Sequence, residues 1–209
     1  MNTTSALLNE FDTQVQTLLK RGYPANIVQL VNPLRNIIIK STFPHEINFS
    51  EGKIPFVIVV KDTVVPANRM IQKVIKDSKK GVIALRPLTT QQFSTLSTVH
   101  IPTNDVYLLL DIDRGKQTRN VTPQDALNQI FALGRSPLTI EEGIALVTHY
   151  PEFLMKNNCF SLLASRTGTD KRVPALWINA KKEPNLGWCW DGNPHTWLGS
   201  ASCASRIGL

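Results

Sequence analysis

The spacing of apolar residues near the N-terminus predicts an amphipathic helix within residues 1–24. Six apolar residues recur at helical spacing, which places them on one face. They are Leu7, Leu8, Phe11, Val15, Leu18 and Leu19. Gly22 and Pro24 end this helix, because glycine suits a left-handed cap and proline cannot continue the hydrogen bonding. A second, short helix is predicted over residues 25–31.

Apolar runs and helical patterns alternate through the middle of the chain. Strands are predicted over residues 54–61, 82–85 and 106–112, since each is a short apolar run. An amphipathic helix over residues 67–79 separates the first two strands, and a polar helix over residues 89–96 leads to the third. Strands joined by helical stretches of this length favour βαβ units and a partly parallel sheet.

Capping signals mark two further helices. Thr122 stands before Pro123, the residue type favoured at the first helical position. Thr139 and Glu142 have the spacing of a capping box, in which each side chain satisfies the other residue's amide. His149 falls near the end of the second of these helices, where the helix dipole favours a protonated imidazolium.

The last third of the chain predicts a hairpin and an irregular tail. Residues 160–164 and 173–178 are strand-like runs separated by a turn-rich connection, residues 186–190 add one more strand, and residues 193–205 read as irregular. The expected fold is therefore one mixed α/β domain over residues 1–209. It has a central mixed sheet with a βαβ portion, flanking helices, and an antiparallel C-terminal hairpin with its tail over residues 159–209.

Composition narrows the class of protein. Hydrophobic residues make up 42% of the chain and charged residues 19%, as in ordinary globular proteins. We expect no membrane span, because no run approaches the roughly 18 apolar residues that one requires. The N-terminus lacks the pattern of a secretory signal, and three cysteines do not suggest a disulfide framework. These features predict a cytoplasmic protein.

Residues that can carry chemistry are concentrated between Leu186 and Cys203. Three of the four tryptophans and two of the three cysteines lie there. A small-molecule site is the leading hypothesis, because tryptophans supply stacking walls and nearby polar groups supply hydrogen bonds. The expected ligand-binding residues are Trp188, Trp190, Asn193 and Trp197.

Two other kinds of site use the same segment. Cys159, Cys189, His195 and Cys203 would supply the Cys₃His set of a structural zinc in an interaction module, although no Cys-x-x-Cys knuckle is present. Alternatively, Cys189 or Cys203 is a catalytic nucleophile activated by His195, with Asp191 orienting the imidazole. Buried aromatic and thiol groups without any task are the alternative to all three readings.

Asp111 and Asp113 form a carboxylate pair at the end of an apolar strand. If the strand stays extended, both side chains point to the same side, where they could act in catalysis or accept Mg²⁺. A plain turn at residues 113–115 is the alternative.

A basic stripe is predicted on the helix over residues 67–79. Arg69, Lys73, Lys76 and Lys80 follow at helical intervals, and the chain carries a formal net charge of +7. The stripe could meet nucleic acid or another anionic partner, but a solvated helix face is the favoured interpretation, since no aromatic residues are interleaved for stacking.

Several motifs resemble an uncharacterised bacterial family, a domain of unknown function that occurs in Gram-positive bacteria. They are LLDIDRG (109–115), GRSPLTIEEGIALV (134–147), HYPEFL (149–154), VPALWI (173–178) and the stretch from Leu186 to Cys203. The resemblance covers roughly residues 25–209. Because that family has no assigned activity, the resemblance implies one bacterial cytosolic unit and assigns no residue a role.

Overall fold

The computed structural model describes residues 3–209, in which helices and strands both contribute substantially. The six α-helices are α1 (Thr3–Lys20), α2 (Ile27–Val31), α3 (Arg35–Lys40), α4 (Ala67–Met70), α5 (Pro123–Ala132) and α6 (Ile140–His149). The thirteen strands are β1 (Lys53–Val60), β2 (Ile75–Lys76), β3 (Lys79–Lys80), β4 (Val82–Ile83), β5 (Ser94–Thr95), β6 (Val106–Asp113), β7 (Ser136–Pro137), β8 (Cys159–Ser161), β9 (Ser165–Arg166), β10 (Arg172–Ile178), β11 (Pro184–Trp190), β12 (Leu198–Ser200) and β13 (Ser202–Ile207). This mixture confirms the predicted mixed α/β class.

The first large sheet has four antiparallel strands in the order β1-β6-β13-β7. Strands β1 and β6 are buried on both faces, since seven of the eight residues in each are buried. Helices α1 and α6 pack against β1. The side chain of Gln14 joins α1 to this strand by accepting from the Ile58 amide at 2.8 Å and donating to the Phe56 carbonyl at 3.2 Å.

The second large sheet has five strands in the order β12-β8-β10-β11-β4. Strand β10 pairs antiparallel with both β8 and β11, so the predicted C-terminal hairpin forms and gains a third strand. The outer pairs, β12 with β8 and β11 with β4, are parallel. Two short antiparallel pairs, the β2–β3 hairpin and the distant pair β5–β9, lie outside the large sheets.

Both capped helices begin where the sequence predicts. Thr122 accepts a hydrogen bond from the Asp125 amide at the start of α5, and Thr139 and Glu142 form the complete capping box of α6. The first helix likewise ends before Gly22, whose φ is +72°. A further helix, α3, follows α2 and was not predicted.

The predicted βαβ portion is wrong. Strands β1 and β6 pair antiparallel, and the chain between them forms only short elements. The expected polar helix over residues 89–96 is a single 3₁₀ turn from Thr90 to Gln92. A run of apolar residues indicates that a strand is buried but not the direction of its partner, which explains the error.

The predicted helix over residues 67–79 is also wrong beyond its first turns. It ends after a 3₁₀ turn at Lys73, and β2 and β3 follow as a tight hairpin. Asp77 and Ser78 form its two-residue turn with φ values of +48° and +64°. Positive φ at both central residues is the geometry of a type I′ hairpin turn, which aspartate tolerates. The basic stripe therefore does not lie on one helix.

The tail is more regular than predicted, because β12 and β13 fall within it. Strand β13 lies between β6 and β7, with Cys203 opposite Ile112. Ala201, Ser202 and Cys203 are almost fully buried. Their small side chains fit an interior position, but they carry little of the β-branched or aromatic signal by which strands are predicted.

Candidate ligand-binding site

The register of β10 and β11 decides which side chains share a face of the second sheet. Pairing runs from Arg172 opposite Trp190 to Ile178 opposite Pro184. Because directly opposed residues point to the same face, Trp188 and Trp190 share a face with Arg172. Trp177 and Cys189 point to the other face. The predicted alternation of Trp188 and Trp190 along one strand is therefore what the structure has.

A pocket of about 330 Å³ lies at this end of the sheet, and all four tryptophans of the chain line it. Its walls are made chiefly by Trp177, Trp188, Trp190, Trp197, Cys189, Asn193 and His195. The four residues expected to bind a ligand are thus brought to one cavity. Trp177 was missed because it stands apart in sequence and arrives through the pairing of β10 with β11.

One wall of the pocket consists of aromatic rings that pack edge to face beside a glycine. The Trp177 and Trp197 ring centroids are 6.4 Å apart with planes at 73°, and the His195 ring lies 5.4 Å from Trp197. Edge-to-face geometry of this kind is favourable for aromatic pairs. A Cβ atom at Gly187 would lie 2.1 Å from the Trp177 ring, so only glycine allows the indole to lie against the strand.

A cation holds Trp188 and Trp190 in place on the face of the sheet opposite Trp177. The Arg172 guanidinium lies 4.7 Å from the Trp188 centroid and 4.8 Å from the Trp190 centroid. Asp170 accepts a hydrogen bond from the same guanidinium at 2.6 Å, which fixes its position. The Trp188 indole N–H donates to the Arg86 carbonyl at 3.1 Å. These two pocket residues are therefore ordered without a ligand.

The polar groups of the pocket have free hydrogen-bonding capacity. Within residues 3–209, neither the side-chain amide of Asn193 nor the His195 ring makes a hydrogen bond. The His195 backbone carbonyl accepts from the Asn120 backbone amide at 2.8 Å. Asn193 is exposed and His195 is half-buried. No side chain with a formal charge lines the pocket. Its chemistry is aromatic, with a neutral donor and acceptor at the rim.

The catalytic arrangement expected at Cys189 is not assembled. Burial raises the pKa of the Cys189 thiol, whose closest polar contact is the Ser161 hydroxyl at 3.7 Å. Asp191 accepts from Arg166 at 2.8 Å instead of orienting His195. A thiol that is harder to ionise is a weaker nucleophile at neutral pH. The geometry therefore corrects the expectation of a Cys189, His195 and Asp191 nucleophilic site.

The four predicted zinc ligands do not converge. Cys159 lies on β8, where its thiol donates to the Met155 carbonyl at 3.4 Å, and Cys203 lies in the other large sheet. Burial raises the pKa of Cys203 to about 12. Across residues 3–209, no group of three or more His, Cys, Asp or Glu side chains is arranged to hold a metal ion.

A family model described as "Family of unknown function (DUF5701)" matches residues 17–209. The chain belongs to this family. The match confirms the expected membership of an uncharacterised family and extends a little further towards the N-terminus. Searches of the curated proteins and of the solved structures find no match to the chain.

The two strand-end carboxylates of this DUF5701 chain are both engaged in ion pairs. Asp111 accepts from His45 Nε2 at 2.6 Å and from Arg135 Nη1 at 2.8 Å. Burial alone would raise the pKa of Asp111, but these two hydrogen bonds outweigh it and lower the pKa. Asp113 pairs with Lys53 and accepts from the Gly115 amide at 2.7 Å.

These contacts correct the expected catalytic or Mg²⁺-binding role of Asp111 and Asp113. Asp111 has a φ of +49°, so the strand is not extended there and the alternation that would align the two carboxylates is broken. Asp113 caps a turn, which agrees with the alternative prediction of a plain turn at residues 113–115. His45, which the sequence gave no reason to select, joins the segment before β1 to β6 through Asp111.

The described helices of the DUF5701 chain give no candidate for a bilayer-spanning segment. None between residues 3 and 209 combines the length with the apolar character that a crossing requires.

Proposed function

We propose that this DUF5701 protein binds a small, uncharged molecule containing a ring in the tryptophan-lined pocket. The observation that carries the proposal is that all four tryptophans of a 209-residue chain line one cavity. Tryptophan is costly to leave half-exposed unless its surface serves packing or binding, and Trp190 is 42% exposed.

The walls of the pocket favour an uncharged ring. Indole faces and edges give about 0.5–1.5 kcal/mol per aromatic contact beyond surface burial, whether or not the ligand is charged. An anionic ligand would need a cation in the lining, and the Arg172 guanidinium is already engaged with Asp170. The same guanidinium already makes the cation–π contacts of Trp188 and Trp190, which disfavours a second cation at these two rings. The volume of about 330 Å³ is at the small end for ligand sites, which suits one or two rings.

The proposal concerns binding and leaves the class of any reaction open. The lining offers His195 and Asn193 as hydrogen-bonding groups, whereas its thiol is buried. We propose a cytoplasmic setting for this binding. All three cysteines are free, as is usual for proteins of a reducing compartment.

Intrinsic fluorescence tests the proposal directly, because all four tryptophan residues of the chain line the pocket. Phenol, benzamide and methyl glucoside are titrated as uncharged ring probes, with benzoate and benzylammonium as charged comparators. We expect saturable changes in emission with at least one uncharged probe and weaker responses to the charged ones.

Matched histidine variants provide the control. His195→Ala removes one hydrogen bond at the rim, so it should weaken binding about fivefold. His100→Ala alters an exposed histidine that does not line the pocket and should leave the affinity unchanged. Equal effects of the two variants, or no saturable response to any probe, would refute the proposal.

A further inference from the structure

A second concave surface of the molecule is strongly basic. A groove of about 740 Å³ lies between the end of α1, the segment leading into α4, and the β2–β3 hairpin. Five cationic side chains line it, and no carboxylate does. We call it the basic groove, and its cations are Lys20, Arg21, Arg69, Lys73 and Lys80.

The charges of the basic groove are not neutralised within residues 3–209. None of its five cations lies within 4.0 Å of a carboxylate oxygen. The carboxylate of Asp77, in the adjoining hairpin turn, is 3.9 Å from Lys76, which does not line the groove. Unpaired cations facing one concavity raise the local concentration of anions.

Two of the five cations are held in place by the fold. The Lys73 ammonium donates to the carbonyl oxygens of Arg21 and Gly22 and lies 5.5 Å from the Tyr23 ring centroid. The Arg21 guanidinium donates to the Ile75 carbonyl at 3.3 Å. A guanidinium has five donors, so most of those on Arg21 remain for a ligand. Fixed donors reduce the entropy lost when an anion binds.

The other three cations are exposed and can adjust to the ligand. Lys20 lies in the last turn of α1, Arg69 lies in α4, and Lys80 ends β3. The sequence predicted a stripe of Arg69, Lys73, Lys76 and Lys80 along one helix. In the structure three of those four line the groove, Lys80 through the hairpin, and they are joined by Lys20 at the end of α1 and Arg21 just after it.

We propose that the basic groove binds a compact polyphosphate chain. Five unpaired cations match the charge of a few linked phosphates, and arginine and lysine are the side chains that bind phosphate oxygens best. Tyr23 is buried beneath Lys73, so no exposed aromatic ring of the groove can stack on a nucleobase. The phosphates alone are recognised, whether they are free or form the tail of a nucleotide. This site is independent of the tryptophan-lined pocket.

Calorimetric titration with inorganic tripolyphosphate tests this inference. We expect one molecule bound per chain, with affinity that falls steeply as salt increases because the attraction is screened. The double variant Lys20→Gln/Arg69→Gln should bind tripolyphosphate at least about tenfold more weakly, since two charge-assisted contacts are lost. Both side chains are exposed, so unfolding curves should match those of the unmodified protein.

The control variant is Lys40→Gln/Lys156→Gln, which removes two charges from exposed lysines outside the groove. It should keep the affinity for tripolyphosphate. Adenosine triphosphate provides the second arm. Weaker binding than tripolyphosphate indicates free phosphate chains, and similar affinity that the Lys20/Arg69 variant lowers indicates that the tail of a nucleotide is bound equally well. Tighter binding of adenosine triphosphate would contradict recognition of the phosphates alone. Failure of both anions to bind at low salt, or equal losses in the two double variants, would overturn the inference.

Discussion

Two neighbouring glutamates show that the contacts of a charged side chain decide whether its charge stabilises the fold. Glu142 is fully buried at the start of α6, where Arg206 donates to Oε2 at 2.8 Å and Tyr107 donates to Oε1 at 2.8 Å. Its neighbour Glu141 makes no ion pair within residues 3–209, and burial raises the pKa of that carboxyl. The charge of Glu142 thus compensates that of Arg206, whereas the neighbouring Glu141 has no cation to compensate within residues 3–209.

The first prediction compares these two glutamates. Glu142→Gln removes the charge that compensates buried Arg206, so it should lower the free energy of unfolding by about 3–5 kcal/mol. Glu141→Gln should change it by less than about 0.5 kcal/mol, because the ionised form gains little at that position. Urea unfolding at neutral pH measures both. Similar losses for the two variants would show that the Glu142–Arg206 pair has no special role.

The second prediction concerns His149, which the sequence placed at a favourable site for an imidazolium. The structure corrects this, because burial lowers its pKa from 6.5 to about 4 despite the 3.0 Å hydrogen bond to the Ile58 carbonyl. The unfolded chain therefore binds a proton below pH 6.5 that the folded chain excludes.

Stability should consequently fall by about 3 kcal/mol as the pH drops from about 6.5 to about 4, and His149 should contribute no pH dependence above that window. His149→Gln keeps a donor for the Ile58 carbonyl and removes the titrating group, so its unfolding free energy should lose this part of the pH dependence. Parallel curves for the variant and the unmodified protein would contradict the assignment.

At the scale of elements, local signals were predictable and distant pairing was not. The caps Thr122 and Thr139 fix the starts of α5 and α6 through contacts three residues away, so the sequence displays them. The tryptophan cluster was visible for the same reason, since three of its members fall within ten residues. Trp177 and β13 were missed because strand partners far along the chain position them.

The third prediction follows from the position of β13. Although it ends two residues before Leu209, it pairs with β6 over Ser202–Ile207 and also with β7 at Ser202 and Cys203. Those of its amides that bond to β6 should exchange with solvent as slowly as the amides of β6, because these bonds open only when the sheet unfolds. Hydrogen exchange measured by mass spectrometry tests this. Rapid exchange over residues 202–207 would mean that the tail is not an integral strand.

The whole molecule presents two concave surfaces of different chemistry, with linings that share no residue. The sequence predicted a small-molecule site in the tryptophan-rich segment and a basic stripe, but neither the part of Trp177 in the pocket nor the basic groove. Each cavity is built from segments far apart in sequence: α1 with the β2–β3 hairpin, and β10 with the turn after β11. Pairwise strand registers and one type I′ turn create both, and no local pattern specifies them.

The most direct test of the tryptophan-lined pocket is an NMR titration observing the four indole N–H resonances. With phenol or benzamide added, we predict that several indole resonances shift together along one saturable curve, while amides of β1, distant in the fold, stay in place. His195→Ala should move that curve to higher concentration. Saturable binding that shifts no indole resonance would contradict the account, as would shifts spread evenly over the molecule.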